Sequence, residues 1–186
     1  MTLTAALLLG LDESSRFGGP SRALLPIAGS TAVGRLVDLC VSRELEPVAV
    51  VVGPHHGPIA RELRRRPMVL VESDRWYEGS TASVQTGFQA IPPDRDVLFW
   101  PIEHPYASGS TVDALLRARD EDALAVWFVP TYEGREGYPL LWRAQVRAAV
   151  LDLRPDAPLG SLVPEFGVQV RRVGVEDPGV VTNGFH

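Results

Sequence analysis

The sequence contains no lysine, so all 18 basic side chains are arginine. Its single cysteine, Cys40, excludes an internal disulfide, which fits a reducing compartment without demanding one. No apolar run approaches the roughly 20 residues that a membrane helix needs. The opening run, Leu3 to Leu9, stops at Gly10 and lacks the basic start and small-residue cleavage site of a secretory signal. It reads as a buried strand of a protein expected in the cytoplasm, away from membranes. Excess positive charge is missing as well. A formal net charge of -5 gives no general pull toward nucleic acid, which is bound by clustered basic residues. The one basic run, Arg61 and Arg64 to Arg66, reads as a solvated helix face or a contact for an acidic partner.

What is present is ordinary globular composition: 186 residues, 45% hydrophobic and 22% charged, enough for one domain spanning 1–186. Short apolar runs recur at Ala5 to Leu9, Val48 to Val52, Met68 to Val71, Val97 to Trp100 and Leu124 to Val129. Runs of this kind suit strands buried on both faces of a largely parallel sheet. Between them lie helical patterns: Val33 to Val41 after an N-cap at Ser30 or Thr31, Ile59 to Arg66, a helix after Gly79 with Val84, Phe88 and Ile91 inward, and one after Ser108 or Ser110. Alternation of strand and helix predicts a wound, three-layer α/β/α fold, whose ligands bind beyond the carboxyl ends of the strands. Beyond Val129 the pattern loosens. "PTYEGREGYPLLW" reads as a loop leading into a strand at Leu140 to Trp142, then helices at Arg143 to Leu153 and near Leu159 to Phe166, and a late edge strand at Val168 to Val173.

After the first strand comes "GLDESSRFGGPSRALLP". Glycines let backbone N–H groups approach an anion, and the Arg16 and Arg22 guanidinium groups can pair with phosphate oxygens in forked geometry. A surface turn with solvated arginines would share this composition, and the segment matches neither Walker A nor G-x-G-x-x-G. His55 and His56 lack the i, i+4 spacing of a helical zinc site. Cys40 falls on a buried helix face, where a thiol acts as a small hydrophobe.

Four blocks in order resemble the MobA-like nucleotidyltransferases, which include the molybdenum-cofactor cytidylyl- and guanylyltransferases. The first, L-A-A-G-x-S-x-R-M-G-x-x-K-x-L-L-P, is matched by Ser15, Arg16, Gly18, Leu24, Leu25 and Pro26. The second matches "SDRWYEGSTASVQTGFQAI" at Glu78, Gly79, Ser83 and Gly87; the third is "VLFWPIEHPYASGSTVDALL"; the fourth is "PTYEGREGYPLLW". The resemblance implies a Rossmann-like, mostly parallel sheet of the nucleotide-diphospho-sugar transferase type. It also implies transfer of a nucleoside monophosphate from CTP or GTP to a small phosphorylated acceptor such as molybdopterin, with magnesium present and pyrophosphate released. By that resemblance the nucleotide binds at Leu9, Gly10, Leu11, Ser14, Ser15, Arg16, Gly18 and Arg22, and at Ser80, Thr81 and Ser83. Arg16, Arg22 and Glu103 would be catalytic, and Glu103 and Asn183 would meet the metal.

The chain also departs from the family pattern. Arg22 stands nearest the missing loop lysine, after a one-residue insertion around Ser21, and arginine does not reproduce a compact ammonium at a phosphate. Leu9, Gly10 and Leu11 replace the usual small turn. Glu103 replaces the metal-binding aspartate before proline, Asn183 replaces an aspartate of a late D-I-D-T-P motif, and the sequence ends at His186 before the rest of that motif. Asp177 could substitute for Asn183, or belong to the preceding loop. Tyr138 stands where the family has histidine, in a loop that the resemblance implies lies near the acceptor. Because charge handling in phosphoryl chemistry needs its members jointly, a nucleotide-binding module without transferase activity, or a scaffold, stays open beside the enzyme.

Overall fold

The protein was analysed as a computed structural model, which describes residues 3–11 and 21–184. Strand β1 (Thr4–Leu9) is followed by a two-residue hairpin, β2 (Pro26–Ile27) with β3 (Ser30–Thr31), turned at Ala28 and Gly29 with φ of 48° and 82°. The chain continues through α1 (Ala32–Val41), β4 (Val48–Val52), α2 (Gly57–Leu63), β5 (Val69–Glu72), α3 (Ser80–Gly87), β6 (Asp96–Pro101), α4 (Gly109–Glu121) and β7 (Trp127–Tyr132). It closes with β8 (Arg135–Glu136), β9 (Leu140–Trp142), α5 (Val146–Asp152), α6 (Val163–Phe166) and β10 (Val170–Gly174).

The main sheet runs β10-β7-β9-β6-β1-β4-β5, with β8 paired to β7. Neighbours β6, β1, β4 and β5 are parallel, β9 is antiparallel to both its neighbours, and β10 is parallel to β7. This is the mostly parallel α/β fold that the alternating pattern predicts. Alternate residues of each strand face opposite layers. Leu8, Val50, Val52, Leu98 and Trp100 pack with Leu36, Val37 and Cys40 of α1, Leu63 of α2 and Leu115 of α4. Leu7, Leu9, Val51 and Phe99 pack on the other face with Val84, Phe88, Val146 and Val150 from the α3 and α5 side.

Local differences have local causes. The β7 strand starts at Trp127 instead of Leu124, because Asp122 accepts hydrogen bonds from Leu124 N and Ala125 N at 3.0 Å and turns the chain there. Leu124 is 82% exposed. The segment read as a loop after Val129 holds a tight hairpin instead: Glu133 and Gly134 take φ of 49° and 77°, and Tyr132 pairs with Arg135. The helix expected from Arg143 begins at Val146, since the Arg143 guanidinium reaches back to the carbonyls of Arg119, Asp122 and Ala125.

Candidate functional site

The chain leaves β1 toward β4 and β5 on one side and returns to β6 on the other. The carboxyl ends of β1 and β6 therefore diverge at a switch point, where doubly wound sheets leave a crevice for ligands. Gly10 N donates to Val51 O at 2.8 Å and Ile102 N donates to Leu9 O at 3.0 Å, so Gly10, Leu11 and Glu103 leave adjacent strands side by side. Leu9 points its side chain into the core, leaving its backbone at the rim.

A Cβ on Gly10 would lie 3.1 Å from Val51 O, so the backbone is close-packed at that point. Leu11 covers Gly53, its Cδ2 lying 2.9 Å from where a Gly53 Cβ would be. Around these two residues a pocket is lined by Ser21, His55, His56 and Trp76, among others. His56 Nδ1 is 3.0 Å from Gly53 O and 3.9 Å from a Glu72 carboxylate oxygen, so that ring is oriented by its own loop. Trp76 was not singled out from sequence; an aromatic residue in the loop beyond β5 was its only signal.

Ser14, Ser15, Arg16 and Gly18 lie outside the described residues. Arg22 opens a 3-10 turn, Arg22–Leu24, whose cap is Ser21, with Ser21 Oγ accepting from Ala23 N at 3.3 Å. Arg22 is therefore anchored just past the pocket. At the start of α3 the three candidate hydroxyls separate: Ser80 is exposed, whereas Thr81 and Ser83 are fully buried. Thr81 Oγ1 donates to Ala157 O at 2.6 Å, Ser83 Oγ to Gly79 O at 3.4 Å, and Ala82 N to Pro155 O at 3.3 Å. Gly79 tolerates this loop only as glycine, having φ of 145° and a would-be Cβ at 2.8 Å from Pro155 O.

At the other wall, Gly184 N donates to Glu103 O at 2.8 Å, which brings the two candidate metal-contacting residues, Glu103 and Asn183, onto adjoining backbone. Asp177 sets that approach. Its Oδ2 accepts from Ser108 N and Ser108 Oγ at 2.8 Å and from Thr111 Oγ1 at 2.6 Å, while Oδ1 accepts from Gly179 N at 2.9 Å. Burial pushes the Asp177 carboxyl up, but these bonds from Thr111, Ser108 and Gly179 outweigh it and hold the group below its usual value. Asp177 is thus a structural clamp between the last segment and the start of α4. Among the described residues no three His, Cys, Asp or Glu side chains gather as a metal cluster.

These features define a nucleotide-diphospho-sugar transferase type of α/β protein with its crevice at the β1/β6 switch point. The chain belongs to the MobA-like NTP transferase domain family, whose sequence model matches residues 6–170. Among curated proteins it is 24% identical over 148 residues to nicotine blue oxidoreductase of Paenarthrobacter nicotinovorans, covering 77% of this chain and 72% of that protein. Among solved structures, a nucleotidyl transferase of Methanothermobacter thermautotroptrophicus matches with TM-score 0.76 and 21% identity over 99% of this chain and 92% of the other. Rv0371c of Mycobacterium tuberculosis matches with TM-score 0.75 and 20% identity over 94% and 90%, and has also been solved as a manganese complex. The 4-diphosphocytidyl-2C-methyl-D-erythritol synthase of Anaerococcus prevotii matches with TM-score 0.73 and 14% identity over 97% and 90%.

Proposed function

We propose that the protein transfers a nucleoside monophosphate from CTP or GTP to a small phosphorylated acceptor such as molybdopterin, in the cytoplasm and as a single domain. The observation that carries this reading is the juxtaposition, at the β1/β6 switch point, of Gly10 and Leu11 at the end of β1 with Glu103 and the segment bearing Asn183. An acceptor phosphate oxygen attacks the α-phosphorus; its new P–O bond forms as the bond to the bridging oxygen of the β-phosphate breaks, and pyrophosphate leaves. Catalysis of this kind is positioning and charge neutralisation. Arg16 and Arg22 hold the polyphosphate, with the Gly10 and Gly18 backbone close to it. Ser80 marks the open face of the α3 start.

A bound magnesium ion would neutralise charge on the phosphate oxygens. The residues present fit one in a limited way: Glu103 and Asn183 offer one carboxylate and one amide oxygen, both hard donors. Magnesium is commonly held by one or two carboxylates together with substrate phosphates and water. The donor set suits an ion that arrives with the nucleotide.

A second reading, nucleotide binding without transfer, is favoured by the changed charge-handling residues: no lysine in the chain, Glu103 and Asn183 at the aspartate positions, and Leu11 over Gly53. Pyrophosphate release from CTP or GTP, followed with molybdopterin and magnesium supplied, separates the two. Release that depends on acceptor and is lost in Glu103→Ala supports the enzyme. Nucleotide binding with no release supports the module.

A further inference from the structure

The main sheet ends on one side at β10 and on the other at β5, and the two edges are finished differently. On β10, Arg171 and Arg172 stand within the strand and are tied to Glu121 and Glu136, a charged edge of the kind that discourages pairing with another chain. Strand β5 reads Val-Leu-Val and reaches a charge only at its last residue, Glu72. No described residue pairs with its outer edge. Val69 is 44% exposed, whereas every residue of the neighbouring β4 is buried.

The two ends of this edge carry opposite charge. Arg64 and Arg65 lead into β5; both are exposed and neither forms an ion pair among the described residues, while Arg66 beside them is held by Asp38 and Glu62. Glu72 closes the strand and Asp74 follows it, both exposed. The ends also differ in shape. Across the amino ends of β4 and β5 lies an open groove of about 510 Å³, with Val41, Leu45, Met68 and Val69 in its walls and the exposed Glu44 and Glu46 beside them. Beyond the carboxyl end of β5 stands Tyr77, 67% exposed, its ring set edge-on to Trp76 at 6.1 Å. An aromatic body with a hydroxyl donor suits a groove with apolar walls and two carboxylates.

A two-fold axis beside the middle of β5 sets each end of the edge in one copy against the opposite end in the other. We propose that β5 is the interface of a homodimer: the β5 strands of two copies pair antiparallel and join the two sheets. Arg64 and Arg65 then face the partner's Glu72 and the partner's Asp74, and Tyr77 enters the partner's groove. Parallel pairing would bring like charges together. Four paired residues span only about 13 Å, so the groove and ring at each end are needed to approach the roughly 800 Å² per partner of a standard interface. A second copy is favoured over a different partner because both halves of the match, base with acid and groove with ring, lie on this one chain.

Sedimentation equilibrium of the full chain tests the interface. The wild type is a dimer at micromolar concentration, and Val69→Lys and Tyr77→Ser each raise the dimer Kd at least about tenfold. Arg65→Glu or Asp74→Arg weakens it about tenfold, and the two reversals combined in one chain recover most of that loss. Urea unfolding of each variant separates lost pairing from lost folding, and the charge reversals, made at exposed positions, decide the matter should Val69→Lys fail to fold. A wild type that stays monomeric up to about 100 µM, a dimer indifferent to Val69→Lys or Tyr77→Ser, or a double reversal no tighter than the single ones overturns the proposal.

Discussion

Asp177 is 9% exposed and accepts four hydrogen bonds, two of them from the backbone N–H groups of Ser108 and Gly179. Asp177→Ala strands these donors, and we expect a loss of about 1–3 kcal/mol in urea unfolding. The acid dependence follows from the lowered carboxyl. Its contribution is full above the unfolded value of about 3.9 and disappears as pH falls through the lower folded value. The stability gap between wild type and Asp177→Asn should therefore be widest near neutrality and close below about pH 4. A gap that widens in acid would contradict the clamp. Cys40 offers a second check. Burial pushes its thiol up to about 12, so the native protein should resist thiol reagents at pH 8 and react only on unfolding. Rapid native labelling would show that the α1 face is not packed as described.

At the scale of elements, a buried ion pair ties the floor of the fold together. Arg119 Nη1 of α4 donates at 3.0 Å both to Asp96 Oδ2 of β6 and to Thr4 Oγ1 of β1, and Ala144 N donates to Asp96 Oδ1 at 3.0 Å. Arg119 also pairs with the exposed Asp120 at 2.7 Å, so Asp96→Ala leaves it partly compensated but strands Ala144 N and one guanidinium donor, and should cost about 1–3 kcal/mol in urea unfolding, less once Arg119→Met is added. A single-variant cost below about 1 kcal/mol would refute that role. The last segment depends on close approach. A Cβ on Gly179 would come within 2.5 Å of the Tyr106 backbone, so Gly179→Ala should displace the segment that brings Asn183 to Glu103. Metal-dependent nucleotide binding, measured by calorimetry, should fall in that variant while metal-free binding persists.

These elements also show what could be read from sequence and why the rest could not. Continuous apolar runs declare buried parallel strands, and β1, β4 and β6 were visible for that reason. The β7–β8 hairpin was hidden because its paired residues are polar and only its turn residues, Glu133 and Gly134, mark it. The β7 start was misplaced because Leu124 is apolar yet exposed, and a side chain two residues earlier decides the turn. Spacing located Glu103 at a strand end, but the meeting of residues 103 and 184 is a contact across 81 positions that no local pattern carries. Motif order indicated Asn183; the clamp at Asp177 needed coordinates.

For the whole molecule, the account comes down to an anion-binding crevice formed where the sheet changes direction. The proposed function assigns the loop arginines, Glu103 and Asn183 to one polyphosphate. A ligand that binds only the folded state raises its stability by about 2.7 kcal/mol at a hundredfold excess over Kd. The most direct measurement is therefore the melting temperature with CTP and with GTP, each with and without magnesium, for wild type and Arg16→Ala. The account predicts a rise with at least one nucleotide, a larger rise when magnesium is added, and loss of both in Arg16→Ala. A melting temperature unmoved by either nucleotide, or a rise that Arg16→Ala retains in full, would contradict it.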